Sequence, residues 1–360
     1  MKIVAIETKR LMTPLKKTFK TAIRTVTAAE SVIVLIHCDD GTTGFGGAAA
    51  TPVITGESLS SIEEAVLNII GPQLIGEDIR QKARIARKID GVVRHNTSAC
   101  AAVNMAIYDC LAKKANLPLY QLLGGYSNQL KTDLTVSVNA PEEMIADAKQ
   151  YIREGFDTLK IKVGGGSIAE DIERVSIIRQ AVGESVKLRL DANQSWSEKE
   201  AIAAIRQMEA DGLAIELVEQ PLPAWDFEGM KRVTQSVLTP IMADESVFSV
   251  QDAAKLLAIH GCDIINIKLM KTGGIDEALK INALAESFGV NCMIGCMIES
   301  SVSLSAAIHF AAALPNVTRC DLDAALMFRS DPVISGIRYE KDQILLSSDP
   351  GLGIQKVIFD

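Results

Sequence analysis

The chain is predicted to be an α/β protein, a parallel (β/α) barrel set behind a small α+β domain. Three observations predict it. From Thr132 onward, eight short apolar runs alternate with amphipathic stretches, the pattern of parallel βα units. Single polar residues end those runs in rhythm: Lys162, Asp191, Glu219, Asp244, Lys268, Cys296 and Asp321 follow one another at intervals of 24 to 29 residues. Before Thr132 the pattern is different, with strand-like segments first and helical ones after them. At 360 residues the chain has room for more than one domain. These patterns divide the chain into 1–125 and 126–330, leaving 331–360 as a C-terminal segment.

Taken in order, residues 1–11 and the Val/Ile-rich run Ser31-Val-Ile-Val-Leu-Ile-His37 read as strands, the latter ending at the turn Asp39-Asp-Gly41. Residues 43–47 return as a third strand. Between the first two, Phe19-Lys-Thr-Ala-Ile-Arg-Thr25 is too polar for a core strand and reads as an irregular loop. A second loop follows at Thr51-Pro-Val-Ile-Thr-Gly56. Ser60 with Glu63 has the form of a capping box, opening a helix that Gly71-Pro72 should stop near Ile70. Helical spacing also covers 78–91 and 97–115. Loops of this kind commonly carry specificity.

In the second part, strands are predicted at 134–138, 159–163, 186–190, 214–218, 240–243, 264–267, 290–294 and 318–322. Helices are predicted at 142–154, 168–182, 198–210 and 276–287. In a barrel, the C-terminal strand ends form the mouth, where active sites are built. The rhythmic polar residues sit at those ends, so residues distant in sequence converge on one cavity.

Composition narrows the classes. Net charge is −8 and no long basic run occurs, which argues against a nucleic-acid partner. No stretch approaches the roughly 18 apolar residues of a membrane span, and the start has too short an apolar run for a signal peptide. Seven scattered cysteines, none in a CxxC pair, read as buried thiols in a reducing cytoplasm. The four histidines stand apart from one another and read as structural.

The polar set has a definite chemistry. Lys160 and Lys162 share one face of their strand, because side chains alternate along a strand. Asp191, Glu219 and Asp244 end three adjacent strands, and three carboxylates held together repel without a cation. Oxygen ligands of this kind suit Mg²⁺, with Ca²⁺ and Mn²⁺ open on ligand type alone and Zn²⁺ poorly matched without His or Cys. Lys162 and Lys268 flank the triad and face each other across the mouth. Lys160 and a metal nearby should lower the pKa of Lys162 and favour a free amine base. Two opposed bases beside a metal-bound carboxylate suit inversion of the adjacent carbon. A Schiff-base lysine is a weaker reading, since it needs neither the second lysine nor the triad. Asp321-Leu-Asp323 puts two more acids on one face, suited to an ammonium group or to a local salt bridge. Arg24 could reach over the mouth toward an anion, although a surface arginine is the plainer reading.

Together these residues resemble the enolase superfamily, in its muconate-lactonizing subgroup: KxK, then Asp, Glu, Asp and Lys on successive strands. Superfamily sites with a Lys or His base and Mg²⁺ are a known pattern. The resemblance implies a (β/α)7β modified TIM barrel with an N-terminal α+β capping domain, completed by the C-terminal segment. Within the subgroup, Asp321-Leu-Asp323 resembles the DxD signature of dipeptide epimerases. The stretches 21–25, 53–56 and 295–299 resemble the L-Ala-D/L-Glu epimerase branch, with Cys296 standing where a serine is usual. The resemblance implies Lys162 and Lys268 as the acid/base pair and Asp191, Glu219 and Asp244 as the Mg²⁺ ligands. It implies Arg24, Thr135, Lys160, Cys296, Met297, Asp321 and Asp323 as substrate-binding residues, with Asn193 and Glu245 behind them. It also implies a small-molecule dipeptide substrate, a homo-oligomer and a role in cytoplasmic recycling of murein peptides. The alternatives are an epimerase of hydrophobic or basic dipeptides, an o-succinylbenzoate synthase or muconate cycloisomerase, and a barrel that binds without turnover. The DxD pair argues against the synthase and cycloisomerase, whose substrates carry no ammonium.

Overall fold

The structure is a computed structural model that describes residues 1–21 and 24–359. Strands β1 (Ile3–Lys20), β2 (Thr25–Cys38) and β3 (Thr43–Ala49) form an antiparallel sheet in that order. The irregular loop predicted over 19–25 is shorter than expected. After a register shift beyond Pro14, Phe19 pairs with Val26 and Lys20 with Thr25. The ribbon buries alternate residues, Leu11, Thr13 and Leu15, on one face only, so polar residues on the other face are no obstacle to strand. Residues 22 and 23 of the predicted loop lie outside the described residues.

Helix α1 (Leu59–Glu64) is capped by Ser58 and Ser61, which bond each other's backbone reciprocally. The predicted Ser60–Glu63 box does not form. Arg10 on β1 takes both residues, Ser60 Oγ at 3.0 Å and Glu63 Oε2 at 2.6 Å. Nor does Gly71-Pro72 end the helix. A widened π-type turn over Ala65–Ile70 leads into α2 (Gly71–Leu74), and the helical path runs on past the proline through this local change of hydrogen bonding. Then come α3 (Lys82–Val92), α4 (Thr97–Ala115) and α5 (Leu119–Leu123). Alanine-rich α4 is buried nearly all round and lies along β3.

A short strand, β4 (Gln129–Lys131), precedes eight parallel strands. These are β5 (Leu134–Val136), β6 (Thr158–Lys162), β7 (Lys187–Asp191), β8 (Ile215–Glu219), β9 (Ile241–Ala243), β10 (Ile264–Ile267), β11 (Asn291–Gly295) and β12 (Val317–Asp321). Helices α6 (Pro141–Arg153), α7 (Ile168–Val182), α8 (Glu198–Ala210), α9 (Phe227–Ser236), α10 (Val250–Ala258), α11 (Leu269–Thr272), α12 (Ile275–Ser287) and α13 (Ser301–Ala313) fill the crossovers. Reciprocal boxes at Ser167/Glu170 and Ser197/Glu200 start α7 and α8, each box satisfying two orphan backbone donors. The two edges of the sheet meet through the Thr132–Cys320 bridge and the Asp133 N–H donating to the Cys320 carbonyl at 3.3 Å, so the sheet curls into a barrel.

The barrel interior is divided. Leu217, Met242, Ile264 and Met293 pack together on one side, while Lys160, Arg189 and Asp133 are buried on the other. After β12 the chain makes two small sheets at the seam between barrel and cap. β13 (Val333–Ser335) pairs with β16 (Ile354–Val357), and β14 (Arg338–Glu340) and β15 (Gln343–Leu345) extend β4. Gly351 exchanges backbone hydrogen bonds with Leu117 and Leu119 beside α5. The C-terminal strands thus touch the capping region without joining its β1–β3 sheet. Among the described residues, no helix is long and apolar enough to cross a membrane.

Candidate active site

The strand ends deliver the predicted residues to one place. Lys162, Asp191 and Glu219 are the last residues of β6, β7 and β8, and Asp244 and Lys268 directly follow β9 and β10. A cavity at this mouth is lined by Lys160, Lys162, Asn193, Asp244, Glu245, Lys268, Cys296, Met297, Asp321, Asp323 and Thr135. The cap closes it with Phe19, Thr21, Arg24 and Ile54. Asp191 and Glu219 lie beneath, fully buried.

Ion pairs tie the floor together. Lys160 Nζ sits 2.6 Å from Glu219, 2.6 Å from Asp321 and 3.0 Å from Asp191. Lys162 Nζ donates to Asp191 at 2.5 Å and Lys268 Nζ to Asp244 at 2.6 Å. Lys160 is therefore held by three acids, where simple charge counting from sequence made it a neighbour acting on Lys162. Burial disfavours the Lys268 ammonium, but Asp244 and Glu219 outweigh it and hold its pKa above the ordinary lysine value.

The carboxylates remain crowded despite these lysines. Burial, then repulsion from Asp191, pushes Glu219 up to about 7. Burial, then Asp244 and Asp191, pushes Glu245 up to about 8. Glu245 accepts from Asn193 Nδ2 at 3.2 Å through one oxygen, and its other oxygen is buried without a hydrogen-bond partner among the described residues. Against their burial, lysines instead hold Asp191 and Asp244 below the ordinary carboxylate range, and it is the all-oxygen donor set, with Glu219 pushed up beside them, that fits a hard divalent cation. The backbone beside the ligands is strained as well: Asn193, Gln194 and Gln220 take left-handed φ values of 42°, 69° and 35°, as residues at functional sites often do.

At the other end, β12 stops at Asp321, and Asp323 begins a 3-10 turn. Both carboxylates still line the cavity. Asp323 accepts the Thr135 N–H at 2.7 Å. Arg24 is desolvated with no offsetting charge, and burial alone lowers its pKa. Among the described residues, this guanidinium in the cavity wall has no carboxylate partner.

Residues 5–124 match the family described as mandelate racemase / muconate lactonizing enzyme, N-terminal domain, and residues 143–356 match the enolase C-terminal domain-like family. The chain belongs to the mandelate racemase / muconate lactonizing enzyme family. Among similar proteins of this family, the L-Ala-D/L-Glu epimerase of Bacillus subtilis is 54% identical over 98% of this chain and 97% of its own. Its substrate-liganded structure covers 100% of both chains with a TM-score of 0.98. The Enterococcus faecalis dipeptide epimerase, solved with Mg and L-Leu-L-Tyr, is 46% identical with a TM-score of 0.96, covering 99% of this chain and 100% of its own.

Sequence reasoning missed several residues that the structure gathers around these carboxylates. Asn266 donates to Glu219 Oε1 at 2.7 Å, and it stands two before Lys268, so strand alternation could have found it. Lys271, fully buried, pairs with Asp244 at 2.5 Å. It lies on α11, past the strand, where that periodicity no longer applies. Glu299, pushed up to about 7 by burial, accepts the Met297 N–H.

Proposed function

We propose that the chain is a Mg²⁺-dependent dipeptide epimerase that inverts the α-carbon of the C-terminal residue, with L-Ala-L-Glu and L-Ala-D-Glu as its pair of substrates. The observation that carries this reading is the cavity where Lys162 and Lys268 meet Asp244 with Asp191 and Glu219 buried beneath, with a paired acid at one end and, over it, an arginine that has no carboxylate partner among the described residues. Kinship with the Bacillus subtilis and Clostridium acetobutylicum epimerases, 54% and 50% identical, supports it.

Asp191, Glu219 and Asp244 would hold the metal. Bound there, Mg²⁺ neutralises the substrate carboxylate and stabilises the charge left by loss of the adjacent proton, worth several kcal/mol. The chain's own residues do the rest. Asp321 and Asp323 take the peptide ammonium. Arg24 takes the glutamate side chain through a charge-assisted pair. These anchors hold the α-carbon between Lys162 and Lys268. One lysine, as free amine, removes the α-proton, and the other, as ammonium, delivers a proton to the opposite face. The acids around Lys160 keep it charged and fixed, so it positions the floor and moves no proton.

A preference for hydrophobic dipeptides is the second reading, favoured by Phe19, Ile54, Met297 and Ile298 in the cavity wall and by the Enterococcus faecalis relative, named a hydrophobic dipeptide epimerase. The proposed setting is cytoplasmic, in keeping with seven cysteines that are all free. The proposed assembly is a homo-oligomer, which light scattering in solution checks.

The test is incubation with a dipeptide library in D₂O with Mg²⁺, read by mass spectrometry. Deuterium should enter the C-terminal α-carbon, most strongly for Ala-Glu, and chelation with EDTA should stop it. No exchange with any dipeptide sinks the epimerase reading. Exchange confined to hydrophobic dipeptides favours the second reading over Arg24.

A further inference from the structure

Beneath the paired acids lies a third carboxylate that sequence patterns did not single out. Asp133 directly precedes β5 and is 1% exposed. One of its oxygens, Oδ2, accepts from Arg189 Nη1 at 2.8 Å. The other, Oδ1, is buried with no hydrogen-bond partner among the described residues. Asp133, Asp321 and Asp323 each bring a carboxylate oxygen within 4.8 Å of the others.

Positive charge around this trio is thinly shared. Arg189 also holds Glu216 at 2.7 Å. Lys160, which pairs with Asp321, is divided among Asp191 and Glu219 too. Three buried acids therefore face two cations that other acids also claim, and this end of the cavity is short of positive charge. Only Asp321 and Asp323 line the cavity. Asp133 acts on it from below, through a low-dielectric interior where charges interact strongly.

We propose that Asp133 is the third carboxylate of the ammonium site, a positioning residue whose charge deepens the field that Asp321 and Asp323 present to a primary ammonium. The inference rests on the reading that this acid pair receives the peptide N-terminus. Asp133 touches no substrate. Its contribution is selectivity for a charged amino terminus over a neutral acyl cap of the same shape. Burial, then Asp321 and Asp323, favour a proton on Asp133 against the pull of Arg189 and Lys160, and an ammonium arriving at the acid pair is the added charge that favours its ionised form.

The experiment compares two ligands in each protein: Ala-Glu as substrate, and N-propionyl-Glu, which lacks only the ammonium, as competitive inhibitor. In Asp133→Asn, KM for Ala-Glu should rise about tenfold, the scale of one nearby buried charge. Its kcat, and the inhibition constant of N-propionyl-Glu, should stay within about twofold, since neither depends on the ammonium. Asp133→Glu, which keeps the charge, should recover most of the lost affinity. If Asp133→Asn does not accumulate as folded protein, Asp133→Ser carries the same comparison with a smaller neutral side chain. Unchanged KM overturns the proposal, and so does a parallel rise in KM and inhibition constant, which marks a purely structural role. Wild-type protein inert toward every dipeptide is a different result, and it removes the epimerase reading itself.

Discussion

The two lysines make opposite stereochemical predictions. If each serves one face of the α-carbon, Lys162→Ala and Lys268→Ala should each lower epimerisation at least about a thousandfold, the upper range for loss of a general base. In D₂O each variant should still exchange the α-proton of one Ala-Glu epimer, and the two variants should retain opposite epimers. Loss of both exchanges in one variant and neither in the other would mean a single base. Single residues also carry the fold. His309 on α13 accepts the Tyr120 N–H through Nδ1 at 3.1 Å and bonds the backbone of Leu352. Burial lowers its pKa to about 4. An unfolded chain binds that proton near pH 6.5 and the folded chain only near pH 4, so stability should fall as pH drops through this window and level off below it. The loss is about 3 kcal/mol. His309→Gln keeps one acceptor and one donor without titrating, and denaturation midpoints should show a flatter profile than wild type between pH 6.5 and 4. At this scale, much of the site was legible. Strand alternation put Lys160 beside Lys162 along β6; it also paired Asp321 with Asp323, although β12 stops at Asp321 and a 3-10 turn carries Asp323 to the cavity. Lys271 was hidden because it reaches the site from a helical turn, and Asp133 because it precedes its strand.

Elements are set by contacts that periodicity does not describe. The spans of α7 and α8 were readable because a capping box and helical spacing agree along them, and that of α4 from its small and apolar residues at helical spacing. The start of α1 was misread because Arg10, 50 residues away in the chain from Ser60, claims the expected capping residues. The meeting of β3 with α4 depends on glycine. A Cβ on Gly46 would lie 1.8 Å from the Ala102 carbonyl oxygen, a backbone atom that cannot swing aside. Gly46→Ala should therefore push the helix off the sheet and cost about 3 kcal/mol or more. Gly41, in the β2–β3 turn, is a useful contrast. It has φ +83° with open space around it, so Gly41→Ala should cost only about 1 kcal/mol of backbone strain. Urea denaturation separates the two, and equal effects would discount the close approach.

The charged floor and the roof of the cavity come from different parts of the chain. The barrel supplies the lysines and carboxylates that line the mouth, while Phe19, Thr21, Arg24 and Ile54 come from the first 56 residues. Barrel residues announced themselves by rhythm, because each βα unit contributes one strand end. The cap has no such repeat, and Arg24 could not be told from a surface arginine until its desolvation in the cavity wall was visible. This division predicts that side-chain preference can change without loss of turnover. A desolvated guanidinium needs an anion, and a glutamate side chain offers one. Arg24→Leu removes that partner and leaves an apolar wall continuous with Ile54 and Ile298. Its kcat/KM for Ala-Glu should fall about a hundredfold, the scale of one desolvated charge pair. Activity toward Ala-Leu should rise in the same variant, and α-proton exchange should persist. The measurement is kcat/KM for both dipeptides in both proteins. A parallel fall would place Arg24 in the fold of the cap, whereas a reversal of preference would make it the residue that chooses the substrate.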